Sequence, residues 1–147
     1  MSRYYKQAGT SLIEVMVAVL VSAVGVLGAA LLQMNAVKFN QTANSRSTAV
    51  FLASDISDRM RANRPDALSG NYDLELDSDA PDGDEIFQLD LQEWVSELQS
   101  RLPLGDGGIS RDGNTFTIVV QWDEKRVSAS READSGNAES FTFITRL

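Results

Sequence analysis

The chain has 147 residues and a formal net charge of -8, from 13 Lys+Arg against 21 Asp+Glu. That length suits one domain, or a domain plus an appendage, and a net negative charge argues against general binding to a phosphate backbone. The absence of His and Cys excludes Ser-His-Asp and Cys-His catalysis, His/Cys zinc sites and any disulfide within the chain.

The first predicted element is apolar. Between Lys6 and Lys38 the only charge is Glu14, and from Leu12 to Leu32 only Glu14 and Ser22 are polar. As a helix that run is about 32 Å long at ~1.5 Å per residue, close to the ~30 Å hydrocarbon thickness of a bilayer. The flank before it holds Arg3 and Lys6 and no acid. The positive-inside rule therefore leaves the N-terminus in the cytoplasm and carries the rest across. The run is too long for a cleaved secretory h-region, and Ala29-Ala30-Leu31-Leu32-Gln33 offers no convincing small-x-small cleavage site. Glu14 is the misfit in an otherwise plain anchor. A lone carboxylate in a membrane span costs roughly 2.5–3.5 kcal/mol on insertion scales and points to a partner; the alternative is a charge that snorkels to the interface.

Ala8-Gly9-Thr10-Ser11-Leu12-Ile13-Glu14-Val15 resembles the processing site of type IV prepilins. That pattern is a short basic leader ending in Gly, a new N-terminal residue, and Glu at the fifth mature position of a long apolar helix. The resemblance implies that prepilin peptidase cleaves between Gly9 and Thr10, and that Thr10 and Glu14 serve subunit assembly. Thr10 departs from the usual Phe. Physically, cleavage creates a cationic amine in an apolar setting. A carboxylate supplied by a neighbouring subunit is its natural counter-charge, because a buried charge without its partner is costly. Ala18, Ser22, Gly25, Gly28, Ala29 and Ala30 are small enough for close helix approach, and equally suit a lone anchor.

Beyond Gln33 the composition becomes amphipathic. Met34, Val37, Gln41, Ser45, Thr48, Leu52, Ile56 and Met60 follow 3–4 spacing, with Leu52, Ile56 and Met60 the clearest apolar stripe. One helix is expected from about Ser11 to about Asn63, ending before Arg64-Pro65. Asp66 to Glu97 then carries eleven acids and no base. Tyr72 to Asp77 alternates as a short strand, and Ser78 to Glu85 reads as loop. The acids at 77–85 lack the EF-hand spacing, so the loop is read as solvated and calcium as the lesser alternative. Asp90 with Glu93 suggests a helix cap, followed by the apolar face Leu91, Trp94, Val95, Leu98 and Leu102 and a stop at Pro103. Gly105, Gly107 and Gly108 suggest a loop. Thr115 to Trp122 is the strongest strand, with Phe116, Ile118, Val120 and Trp122 on one face. Asp123 to Glu139 is a polar connection, and Ser140 to Arg146 the last strand, with Phe141 and Phe143 inward.

Asp58-Arg59-Met60-Arg61-Ala62-Asn63-Arg64 is similar to the Arg-x-Arg-Ala-Asn signature of PilV-type minor pilins, as are Trp94, Leu102-Pro103, Gly105 and Trp122-Asp123 further on. Arg59, Arg61 and Asn63 are thus the expected domain signature. As plain chemistry, those arginines also suit a solvated cationic helix end, or a contact to the acidic segment after Pro65. The resemblance implies an α+β, pilin-like fold: one long N-terminal helix, membrane-spanning in its first half, on a small antiparallel sheet with a short extra helix. It implies a leader at 1–9, a transmembrane and polymerisation segment at 10–33, and a periplasmic domain at 34–147. It further implies a non-enzymatic minor pilin without cofactor or metal, placed first in the inner membrane and then at the pilus tip. Its partners would be prepilin peptidase, other minor pilins, the major pilin, the inner-membrane assembly platform and a tip adhesin. The alternative is a minor pseudopilin of a type II secretion system, because the N-terminal pattern is shared.

Overall fold

The computed structural model describes residues 11–123 and 138–147. The chain divides into two compact units, Met1–Phe39 and Asn40–Leu147. Helix α1, Leu12–Ala62, contributes to both.

In the first unit α1 has no core beneath it. The apolar side chains from Leu12 to Leu32 are all exposed, for example Leu12 at 81% and Leu32 at 72%, and the helix is long and apolar enough to cross a membrane.

The second unit is a self-contained α+β body. It comprises the last part of α1, then α2 (Arg64–Ser69), α3 (Ile86–Arg101), β1 (Asp106–Asp112), β2 (Thr115–Asp123) and β3 (Ala138–Arg146). The strands form one antiparallel sheet in the order β1-β2-β3. Ile109 lies opposite Ile118, and Ile118 opposite Phe143. Strand alternation puts Phe116, Ile118, Val120 and Trp122 on one face, all buried. They pack with Leu52, Ile56 and Met60 of α1, which are also fully buried, and with Leu91, Trp94 and Leu98 of α3. Phe141 and Phe143 close the margin of this core. The buried Trp94 indole donates to the Leu52 carbonyl at 3.0 Å and so links α3 to α1.

Four local expectations are corrected. Pro65 does not merely end a helix: it sits in the first turn of α2, where its missing N–H and fixed φ are tolerated. Tyr72–Asp77 is not a full strand, and only Leu74 pairs, exchanging hydrogen bonds with Ile109 at 2.8 and 2.9 Å. Asp90 is not a cap, because α3 starts four residues earlier behind Glu85, whose N–H is accepted by the Gln88 side chain at 3.1 Å. The Gln88 and Gln92 amides also bind the Asp82, Pro81 and Gly83 carbonyls, which ties the acidic loop to the helix. Finally, Gly107 and Gly108 lie in β1, not in a loop. A Cβ on Gly107 would sit 2.5 Å from the Trp94 ring, so that glycine lets the strand come close under α3.

Candidate processing and assembly segment

The proposed cleavage position, Gly9 and Thr10, lies outside the described residues. The structure describes the segment from Ser11. The Ser11 carbonyl accepts the Glu14 and Val15 N–H groups at 3.0 and 3.3 Å and so opens α1. Glu14 stands in the first turn, where the positive end of the helix favours a carboxylate. Among the described residues no ion pair reaches it. What the segment offers is thus a single negative charge near one end of an apolar helix that is exposed on all sides.

The other predicted residues, Arg59, Arg61 and Asn63, lie at the far end of α1. Arg59 and Arg61 occupy its last turn, and Asn63 follows it as the residue that precedes α2. Arg59 reaches three carboxylates: Asp55 at 2.9 Å, Asp90 at 3.4 Å and Glu93 at 2.6 Å. Its bond to Glu93 is the main reason that the guanidinium is held above its ordinary pKa, against the opposing effect of burial. The same bond holds the Glu93 carboxyl below its ordinary value. Asp90 also accepts the Tyr72 hydroxyl at 2.5 Å, and that hydroxyl accepts the Asn63 amide at 3.3 Å. Burial, followed by the bond to Asp90, pushes the Tyr72 phenol well above its usual value. Arg61 bonds Asp58 at 2.6 Å and the Thr145 hydroxyl of β3 at 2.7 Å.

This arrangement joins the end of α1 to α3, to the Tyr72 segment and to β3. Arg59 therefore contacts the acidic segment rather than standing in solvent, whereas Arg64 is exposed. Sequence reasoning missed Asp55, Tyr72 and Asp90 as members. The i, i+4 spacing of Asp55 and Arg59 was an available signal; for residues 72 and 90 the acidic run after Pro65 pointed to the segment and not to its members. Among the described residues no group of three or more carboxylates is drawn together in a way that could hold a metal ion.

Comparison with protein families finds one match: residues 4–30 fit the prokaryotic N-terminal methylation motif. Comparison with curated proteins and with solved structures finds no significant match. The matched residues include Gly9, Thr10, Glu14 and most of the apolar run. The motif marks substrates of prepilin peptidase that enter pilus or secretion assembly machinery, and an apolar N-terminal helix of this kind fits anchoring in the inner membrane. What the comparison shows of this chain is therefore a prokaryotic N-terminal methylation motif over residues 4–30, at the start of a long apolar helix.

Proposed function

We propose that this chain is a minor subunit of a type IV pilus that helps to initiate assembly and ends at the fibre tip. Prepilin peptidase would cleave it between Gly9 and Thr10 on the cytoplasmic side, leaving the body from Asn40 onward in the periplasm. The observation that carries the reading is the methylation motif over residues 4–30, placed on a helix whose only charge in its apolar run is Glu14. The similarity of the Arg59-to-Asn63 stretch to PilV-type proteins supports the minor-pilin role, and the structure assigns those residues a further duty inside the fold. Other minor pilins, the major pilin and the assembly platform are the partners that such a subunit meets.

The test is expression of the full chain with prepilin peptidase. The wild type should lose its nine leader residues, and Gly9→Val should stay uncleaved, because a branched side chain crowds the scissile backbone. The processed chain should then appear in sheared pili. Uncleaved wild-type protein would refute the prepilin reading. Cleaved protein that enters a secretion pseudopilus and never a pilus would replace the pilus by a type II secretion system.

A further inference from the structure

The two edges of the sheet are finished differently. On the β1 side Leu74 exchanges both backbone hydrogen bonds with Ile109. Ile109 thus points its N–H and C=O away from β2, so Ile109 and Ile118 form a pair of the non-hydrogen-bonded kind. Alternation then makes Ile118 and Phe143 a hydrogen-bonded pair. The bond from the Leu147 N–H to the Asn114 carbonyl at 3.1 Å has the same phase. Phe141, Phe143 and Thr145 therefore direct their backbone groups to β2, while those of Ser140, Thr142 and Ile144 point outward from the other edge. Among the described residues no backbone group pairs with these three.

Such an edge is a template for a further strand, and folded proteins blunt it with Lys, Pro, a bulge or a short length. β3 has none of these. It runs for nine residues without Pro or Lys, and its register with β2 is unbroken. Its middle, Ser140 to Thr145, is uncharged and rich in strand formers. The ground beside the edge is also unfinished. Phe141 and Phe143 lie at the margin of the core and are half-buried. The bond from Arg61 to Thr145 marks the side of α1 that faces β3. Val50, Ser54 and Ser57 lie on that same side at helical spacing, and Val50 is 40% exposed. On the outer face of the sheet Ile144 is 65% exposed.

We propose that the free edge of β3 receives an extended strand donated by a different subunit. Backbone pairing supplies the affinity, and alternate side chains supply the specificity. The donated segment is apolar at every second position, and those residues cover Phe141, Phe143 and Val50. A second copy of this chain does not fit. Its β1 edge is already held at Ile109 by Leu74. Antiparallel pairing of two β3 edges needs a two-fold axis normal to the sheet, which turns the α1 helices of the two copies in opposite directions. Helices that leave one membrane run the same way. This inference rests on the proposed role as a subunit that meets other subunits in a fibre.

Proline separates an edge contact from a structural one. Thr142→Pro removes an N–H that points away from β2, a change that an edge strand tolerates. Arg111→Pro does the same on the β1 edge, because Arg111 and Phe116 are a pair of the non-hydrogen-bonded kind. The full-length chains are expressed with prepilin peptidase and compared for leader cleavage, urea midpoint in detergent and content in sheared fibres. Both variants should match the wild type in cleavage and midpoint. Thr142→Pro should enter fibres roughly tenfold less, through the lost ladder bond, and Arg111→Pro as the wild type does. The chain has no cysteine, so Ile144→Cys reports cover of the edge directly. A maleimide should label it roughly tenfold more slowly in fibres than in the detergent-solubilised chain, because a paired strand opens only locally. Leu104→Cys, at a position 81% exposed, should keep its rate. This labelling decides by itself should the proline lower the midpoint. Wild-type fibre content for Thr142→Pro overturns the proposal, as does a loss that Arg111→Pro shares. So does an unchanged rate at Ile144→Cys, slowing that Leu104→Cys shares, or a disulfide between two Thr142→Cys copies. A wild type that is cleaved and enters fibres beside an equally abundant Thr142→Pro removes this inference only. A wild type that stays uncleaved removes the prepilin reading, and one that is cleaved and never enters a pilus removes the pilus.

Discussion

Replacing Arg59 by Met tests the network at the end of α1. Methionine keeps an unbranched chain of similar reach, so the stem still packs and the charge alone is removed. The Asp90 side chain is only 18% exposed and accepts from both Arg59 and Tyr72. Losing a charge-assisted bond to a half-buried carboxylate costs about 1.5–3 kcal/mol, and the Asp55 pair along the helix adds about 0.3–0.5 kcal/mol. Glu93 is exposed and solvent-screened and is left out of that sum. A total of about 2–3 kcal/mol corresponds to a fall in Tm of roughly 8–24 °C for a folded body of about 100 residues. The acid dependence carries an independent sign. The Glu93 carboxyl is lowered by Arg59. Its contribution is therefore present above the unfolded value near 4.3 and is lost as pH falls through the folded one. Wild type should lose more stability than Arg59→Met below about pH 4.3. Urea unfolding of the full chain in detergent, followed by Trp94 and Trp122 fluorescence at several pH values, measures both effects. Equal midpoints and parallel acid profiles for the two proteins would refute the claim that Arg59 joins α1 to α3.

Tyr72→Phe removes the 2.5 Å bond to Asp90 and should cost about 1–2 kcal/mol. Because the Tyr72 phenol is raised in the fold, its contribution is complete below the unfolded value near 10 and is lost as pH climbs toward the folded one; the variant should lack that alkaline loss in a pH series of melting curves. Ser57 is fully buried on α1 and its hydroxyl has no partner among the described residues, so Ser57→Ala should raise stability by about 1 kcal/mol in urea. Glu14→Leu should leave membrane insertion and leader cleavage intact while reducing the sheared-fibre fraction about 10²–10³-fold, from about 3–5 kcal/mol for a broken buried pair. Glu14→Asp should fall between.

The parts of the fold that depend on periodicity were legible. The Leu52/Ile56/Met60 stripe, the Leu91-to-Leu102 face and the alternating β2 all repeat at helical or strand spacing, and each is buried as that spacing requires. The failures share a different cause. Gly107 and Gly108 look like loop residues because glycine is usually a punctuator. Here the Trp94 ring leaves no room for a side chain, a fact that only the packing of α3 on β1 reveals. Asp90 and Glu93 had the spacing of a cap, but their carboxylates are committed to Tyr72 and Arg59, and Glu85 opens the helix instead. In the candidate segment, charge and hydropathy made Glu14 conspicuous because it interrupts a membrane-length run. For Arg59 the acidic run after Pro65 was a legible alternative, but which carboxylates it meets was not, since Asp90 and Glu93 lie 31 and 34 residues away in sequence; the bond of Asn63 to Tyr72, nine residues on, left no periodic signal.

The two units meet different physical demands. The body from Asn40 onward buries two tryptophans, a tyrosine and a continuous aliphatic layer, so its stability has an internal source. The helix from Leu12 to Phe39 buries nothing of its own, and an apolar surface of that extent cannot remain in water. Its environment comes from elsewhere, on the proposed reading lipid before assembly and other helices after it. Glu14 distinguishes these two settings. In lipid an unpaired carboxylate costs roughly 2.5–3.5 kcal/mol. In a fibre, on the proposed reading, it meets the amine of Thr10 from a neighbour, and each charge relieves the other. Leucine at position 14 would suit lipid better and the fibre worse. A residue that makes the membrane a poorer solvent and the polymer a better one biases the helix toward leaving the bilayer, because only a difference in affinity between two states can shift their populations.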